Sequence, residues 1–206
     1  MQQIRTAIIE GRIRPNDHLT EVTLTEQLGV SRTPIREALI LLEREGLVVT
    51  APNRGCFVRA FDEQAVDELF SMRVALENLA GSIIIERLEP SDYQHLYESI
   101  SQQRAAIKRD DFKQVRAVDM AFHEYLVDKS NHTLLIRNWM EIVAQIAAVL
   151  YLRAEAIPNY NEYQSIQDHT AIVEAYEARD LVRLTALNEQ INQRVAGECK
   201  RGVSTH

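Results

Sequence analysis

The sequence predicts a mostly α-helical protein, an N-terminal winged helix-turn-helix followed by an all-α helical bundle. Three observations carry this. The run Gly29-Val30-Ser31-Arg32-Thr33-Pro34-Ile35-Arg36-Glu37-Ala38-Leu39 reads as a tight turn feeding a helix. Two short β-prone runs, Leu47 to Thr50 and Cys56 to Arg59, flank a turn directly after that helix. From Asp62 to Arg201 only helical periods occur, broken at helix-length intervals by turn and cap residues.

Taken in order, Gln3 to Glu10 predicts a short helix with Ile4, Ala7 and Ile8 on one face, ended by Gly11. Gly11 to Leu19, with Pro15-Asn16-Asp17, reads as a connecting turn. Leu24 to Leu28 forms a second short helix, Gly29 a tight turn, and the next helix starts around Arg32. Ser31 is placed as its N-cap, where a hydroxyl can accept a backbone N–H of the first turn. Pro34 falls within that first turn, where its missing N–H costs little. Ile35, Leu39 and Leu42 make the apolar stripe, and Arg32, Thr33 and Arg36 stand off it at the front of the helix. Gly46 ends the helix as a C′ glycine.

Two helices joined by a Gly turn, with cationic and polar groups at the front of the second, predict a helix-turn-helix whose second helix enters the DNA major groove. Arginine suits bidentate contact with guanine, and helix-end N–H groups suit phosphate. The strands around Ala51-Pro52-Asn53-Arg54-Gly55 then form a wing, with Arg54 and Gly55 at its tip suited to a phosphate or minor-groove contact. The alternative is a small three-helix module with an exposed hairpin and no nucleic acid.

Phe61-Asp62 is the expected boundary, giving domains at 1–60 and 61–206, with Asp62 capping the next helix. No Gly/Ser-rich linker separates them, which predicts fairly stiff coupling. Bundle helices are expected at about 63–87, 91–109, 111–129, 132–156, 161–179 and 181–200. Their breaks are Pro90-Ser91, Asp110-Asp111, Ser130-Asn131, Pro158-Asn159 and Asp180, and antiparallel neighbours are the natural packing.

Composition bounds the class. Hydrophobic residues make up 46% and aromatics 6%, which suits a soluble helical protein. The longest apolar run, Ile142 to Leu152, is interrupted by Gln145. It is far short of the ~20 residues of a membrane span. No signal peptide is expected ahead of Met1-Gln2-Gln3. Cys56 and Cys199 show no metal spacing, so reduced thiols and a cytoplasmic location are expected. The net charge of −7 is unevenly spread: residues 1–60 hold eight Lys/Arg against seven Asp/Glu, and the remainder fifteen against twenty-three. DNA affinity therefore has to come from a few placed arginines.

Polar residues on the apolar stripes point to a second site. Val66, Leu69, Arg73, Leu76 and Ala80 put Arg73 on a buried line. Phe112, Val115, Asp119, Phe122 and Leu126 do the same for Asp119, with His123 one turn later. Ile166, His169, Val173 and Tyr176 place His169 inside, and Leu135, Trp139, Ile142, Ile146 and Val149 lead on to Arg153. Buried charge is costly unless paired or ligated. Several such groups facing one bundle predict a polar cavity. Asp119 and His123 at i, i+4 share a helix face and suit two ligands of one divalent ion such as Zn, Ni, Mn or Fe. The alternative is a set of satisfied core pairs, such as Asp119 with Arg73 or a histidine bonded to a carbonyl.

These residues carry a resemblance. Leu19, Glu21, the run Leu28 to Leu39, Leu42-Glu43-Arg44-Glu45-Gly46-Leu47-Val48, Pro52-Asn53-Arg54-Gly55 and Val58 resemble the winged helix of the GntR family of bacterial transcription regulators, over nearly all of residues 1–60. The resemblance implies DNA contact by Ser31, Arg32, Thr33, Arg36 and Gly55. Asn16 stands where the family usually has glycine, and Val22 where some relatives carry a DNA-contacting arginine. Further on, Arg73…Glu77, Asp119-x-x-x-His123 followed by Ser130-Asn131, and His169-Thr170-Ala171-Ile172 resemble the helical effector domain of the FadR branch, the FCD domain. Relatives hold a divalent metal with Asp, His, His and a third His, and bind a small organic acid on or beside it. Three positions match, as Asp119, His123 and His169. An ungapped count places the fourth at Ile191, which continues the stripe Leu184, Leu187, Ile191 and is flanked by Gln190 and Asn192. The implied effector residues are Arg73, Asp119, His123 and His169, with Arg73 the cationic partner of an effector carboxylate.

The expectation is a ligand-responsive transcription regulator, read as a repressor, that binds a pseudo-palindromic operator as a homodimer. It is not expected to be an enzyme or to engage a membrane. The competing readings are a metal-dependent enzyme in the bundle and an interaction module without DNA.

Overall fold

The structure, a computed structural model, describes residues 1–157 and 160–204. Among them are nine helices and one three-stranded sheet. In chain order these are α1 (Gln2–Ile9), β1 (His18–Leu19), α2 (Glu21–Leu28), α3 (Arg32–Arg44), β2 (Val48–Ala51), β3 (Gly55–Val58), α4 (Glu63–Ile84), α5 (Pro90–Lys108), α6 (Phe112–Lys129), α7 (Thr133–Ala156), α8 (Tyr163–Glu177) and α9 (Leu181–Val203). The mostly α fold with an N-terminal winged helix-turn-helix is as the sequence predicts.

The chain divides into two compact units. The first holds Met1–Leu69, Met140–Pro158 and Glu198–His206. Its sheet is antiparallel in the order β1-β3-β2, with Val49 opposite Phe57 on one side of β3 and His18 opposite Phe57 on the other. The strand β1 lies in the segment expected to be a connecting turn. Its two residues pair with the edge of β3 that the hairpin alone would leave open, a tertiary pairing with no local pattern. Asn16 reaches φ 69° just before it, the left-handed conformation that asparagine tolerates. The helix α2 starts at Glu21, earlier than the apolar pattern suggests, because Thr20 accepts the Thr23 N–H at 3.1 Å as a side-chain cap.

Ser31 occupies the N-cap position of α3 but makes no side-chain capping bond. Its hydroxyl therefore does not play the part expected of it. On the inner face of α3 the buried residues are Ile35, Ala38 and Leu42, while Leu39 is only half-buried. A 3.6-residue turn rotates Ala38 onto the core line and Leu39 off it. The helix ends as expected: Gly46 is left-handed (φ 68°), and Leu47 N–H donates to Leu42 O at 3.0 Å. Asp62 caps α4 through Ala65 N–H at 2.8 Å.

The second unit holds Phe70–Trp139 and Asn159–Gly197. Its core gathers Ile84, Leu96, Ile100, Phe122, Leu126, Ile172, Val173, Tyr176 and Leu184. Expected breaks recur as caps and left-handed residues: Asp111 caps α6, Asp180 caps the start of α9, and Asp110 and Asn131 have positive φ. The break expected at Pro158-Asn159 lies outside the described residues. Some stripe positions differ from expectation. Phe112 is exposed, because it opens α6 before the helix reaches the core, and Ile142 is half-buried.

The helix α7 is long and apolar enough to cross a membrane by composition, with an 18-residue window of mean hydropathy 1.3 within its 24 residues. This exceeds what the interrupted run suggested. Its side chains Leu135, Trp139, Ile146 and Val149 are all buried within the protein, while Leu134 and Met140 are exposed.

Asp92 pins the start of α5. It accepts from Glu89 N–H (2.9 Å) and the Tyr125 hydroxyl (2.6 Å) and pairs with Lys129. Burial alone would raise its carboxyl, but these donors hold it below the ordinary range. A depressed folded pKa stabilises above the unfolded value and loses that contribution as pH falls through the folded one. Asp92→Asn is therefore expected to cost about 1–3 kcal/mol at pH 7. The gap to the parent should narrow below about pH 4, as urea unfolding at both pH values would reveal.

Candidate DNA-reading and metal-binding sites

The helix-turn-helix is built by local chemistry. Gly29 at φ 65° makes the left-handed turn after α2, with its N–H on Thr25 O. That turn delivers the first residues of α3 to the surface. Ser31, Arg32, Thr33 and Arg36 are all exposed, as are Arg54 and Gly55 on the wing. Arg36 Nε donates to Glu21 Oε1 at 2.6 Å, an exposed pair that raises the arginine pKa and lowers that of the glutamate. The pair gives Arg36 a preset direction from α2.

The wing is held by a stack that the sequence did not suggest. The His18 ring lies 4.7 Å from Phe57 at 21°, and the Arg54 guanidinium sits 5.9 Å from the Phe57 ring centroid. Gly55 is required twice over. Its φ is 97°, and a Cβ there would come within 2.5 Å of His18 Nε2.

In the second unit, α4, α5, α6, α8 and α9 bring one polar cluster together. Arg73 and Glu77 are four residues apart on α4, joined by Arg73 Nε donating to Glu77 Oε1 at 2.8 Å. The same carboxylate lies 2.9 Å from His123 Nδ1 on α6. Asn192 on α9 donates to its other oxygen at 3.0 Å. Burial would raise the Glu77 carboxyl, yet the Arg73 guanidinium and the His123 imidazole beside it hold it well below the usual carboxylate range. An ionised Glu77 accepts only, so His123 Nδ1 carries a proton toward it, and Nε2 is turned toward His169.

His169 is fixed in the same way from the other side. Its Nδ1 lies 3.0 Å from the Gln103 side-chain oxygen, while Gln103 Nε2 donates to Asp119 (3.4 Å) and Ser165 (3.1 Å). The amide is thereby oriented to accept from His169. Burial draws the His169 pKa down to about 3, helped by His123 and Arg73 and opposed by Asp119 and Glu77. At neutral pH His169 is uncharged, with its free lone pair on Nε2.

The two Nε2 atoms face each other at 3.2 Å, and Asp119 Oδ1 lies 3.3 Å from His169 Nε2. The ligand atoms of Asp119, His123 and His169 all fall within 4.8 Å of one another. One carboxylate oxygen and two imidazole nitrogens make a donor set of the kind that ligates a divalent cation. Two nitrogens on one tetrahedral ion at ~2.0–2.1 Å would stand roughly 3.3 Å apart, close to what is seen. The residues fit a divalent metal.

Arg73, expected to face an effector, has its Nε on Glu77, not on Asp119. Asp119 is half-buried and not fully inside. Ile191 is half-buried against the apolar core and offers no ligand atom. The α9 contribution is instead Asn192, the next residue, whose amide reaches Glu77. Sequence reasoning singled out neither Gln103 nor Asn192 as site residues, and it met Glu77 only within the resemblance. The stripe test applied to α5 would have found Gln103: Leu96, Ile100, Gln103 and Ile107 step by four, three and four, and all are buried. Asn192 is missed because the apolar stripe of α9 runs one residue away.

A winged helix-turn-helix with exposed arginines at the front of its recognition helix, carried with an all-helical domain, defines a transcription regulator. The profile described as "Bacterial regulatory proteins, gntR family" matches residues 1–58, and that of the FCD domain matches residues 68–193. The chain belongs to the GntR family and carries an FCD domain. It is 32% identical over 143 residues to the HTH-type transcriptional regulator YdhC of Bacillus subtilis, covering 68% of this chain and 63% of that relative. It is 28% identical over 185 residues to the gluconate operon transcriptional repressor of Bacillus licheniformis, covering 86% of this chain and 74% of the relative. With the HTH-type transcriptional regulator McbR of Escherichia coli it shares 28% identity over 170 residues, covering 82% and 77%. The solved E. coli McbR structure matches the fold with TM-score 0.79 at 26% identity, over 94% of this chain and 91% of that one.

Because Glu77 holds His123 Nδ1 at 2.9 Å, it orients that ring toward the metal site. Glu77→Gln is expected to weaken divalent metal binding about 10–100-fold, as loss of a carboxylate behind a ligating histidine does. His123→Ala should weaken it further, both read by titration with Zn²⁺. Unchanged binding in both variants would place the ligands elsewhere.

Proposed function

We propose that this chain is an effector-responsive repressor that binds a pseudo-palindromic operator as a homodimer. Residues 1–60 read DNA, and residues 61–206 bind the effector and dimerise. Its place of action is the cytoplasm. The observation that carries the DNA reading is the pair Arg32 and Arg36, exposed at the first turns of α3, with Arg36 directed by Glu21. Ser31 and Thr33 flank them with hydroxyls for phosphate, and Arg54 with the Gly55 backbone supplies the wing contact. Two relatives, YdhC and McbR, are named as HTH-type regulators and another as a repressor, which supports this sign of control.

The effector reading rests on charge. Arg73 is paired with Glu77, and Asp119 brings a further carboxylate to the cluster, which repels an organic acid. A divalent ion on Asp119, His123 and His169 reverses that sign and supplies a Lewis acid for a carboxylate. Arg73 then adds a cation behind the ion. Lacking an imidazole at Ile191, the three-ligand set leaves positions for the acid. A response also requires that the acid bind the DNA-competent and incompetent states unequally.

Arg32→Ala and Arg36→Ala are each expected to cost roughly 1–3 kcal/mol of operator affinity and to relax base preference. Arg54→Ala should weaken all sequences alike and flatten the salt slope by about one unit. Gel shifts on the chain's own upstream DNA at two salt concentrations separate the cases, and parent-like binding by both helix variants would refute the reading. Sedimentation at micromolar concentration is expected to give a dimer, free and on DNA; a monomer in both states would overturn the paired half-site geometry.

A further inference from the structure

The apolar run of α7 is broken at Gln145, and nothing in the metal cluster or the DNA contacts uses that residue. It is 8% exposed, in a stretch where Ile146, Val149 and Leu150 are buried apolar neighbours. A buried amide costs free energy unless its polar atoms are met, and an apolar side chain would fill the place without that cost. Its partners tell what it does. Gln145 Nε2 donates to Glu141 O at 2.9 Å, one turn back on α7. Its oxygen accepts from Arg59 Nη1 at 2.9 Å.

Arg59 directly follows β3 of the wing. Its backbone N–H donates to Leu47 O at 2.9 Å, so it is tied to the segment leaving the recognition helix. Gly46, at the end of that helix, faces the same amide, and a Cβ on it would come 2.4 Å from Gln145 Nε2. The C-terminal end of α3 and the exit of the wing thus both meet one side chain of α7. A second contact of the same kind lies at Gly11, after α1, where a Cβ would come 2.5 Å from the Tyr151 ring. Met140 to Ala156 of α7 belong to this unit, while Thr133 to Trp139 of the same unbroken helix belong to the other.

We propose that Gln145 is a positioning residue for the DNA-reading unit, fastening the recognition helix and the wing to α7 through Arg59 and Gly46. Because α7 is one continuous helix, a change in its setting within the helical domain is handed to the winged helix at Gln145. The regulatory part of this inference rests on the DNA-binding reading above; the fastening itself does not.

The test uses the full chain as parent, Gln145→Leu and Gln145→Glu, each with and without saturating Zn²⁺. Hydrogen exchange is followed at residues 45–49 and 56–60, with residues 92–108 as an internal reference. Gln145→Leu is expected to speed exchange in the first two windows by about tenfold and to leave the reference unchanged. Gln145→Glu, whose carboxylate still accepts from Arg59, should stay near the parent. On upstream DNA, the ratio of affinities with and without Zn²⁺ should fall toward one in Gln145→Leu while its Zn²⁺ content stays that of the parent. Parent-like exchange in Gln145→Leu would overturn the proposal, as would equal loss of protection in all three windows. Gln145→Glu exchanging as fast as Gln145→Leu would overturn it too, since the Arg59 bond would then not be the fastening. A parent that binds no DNA would sink the regulator reading alone, and the exchange result would still decide the role of Gln145.

Discussion

The helical domain depends on one buried carboxylate. Glu77 stays ionised because Arg73, His123 and Asn192 all donate to it, and any one of them would find the burial costly alone. Its ionisation sets a proton on His123 Nδ1 and turns Nε2 toward His169. Gln103 does the same for His169 with a neutral amide. Five helices therefore cooperate to bring two imidazole nitrogens and one carboxylate oxygen to the same point.

The DNA-reading unit rests on a different kind of constraint, backbone conformations that only small residues accept. Gly29 turns the chain into α3, Gly46 turns it out, and Gly55 lets the wing close against His18. Each side chain expected to meet DNA sits within a few residues of one of these positions. Affinity from few charges follows naturally, since residues 1–60 carry nearly balanced charge and rely on placement.

Sequence periodicity alone placed Arg73, Asp119 and His169 on inward lines, because a 3.6-residue repeat fixes which face a side chain shares. It also located each bundle helix to within a few residues, since the caps Asp62, Asp111 and Asp180 are local signals. The first strand, β1, left no such trace. Its two residues become a strand only because β3 has an open edge. The Ser31 hydroxyl, a plausible cap by residue type, makes no capping bond, whereas Thr20 does so eleven residues earlier.

The sequence by itself determined the helices, the wing hairpin, the family and most of the helix faces, because hydrogen bonding within a helix and turn chemistry act between near neighbours. Only the tertiary structure decided the partners. Arg73 Nε went to Glu77, Asn192 took the place beside the cluster that Ile191 could not, and Gln145 met Arg59 across 86 residues of chain. Pairings of that kind depend on how helices rotate and cross, and a periodic stripe specifies the face without specifying what that face will meet.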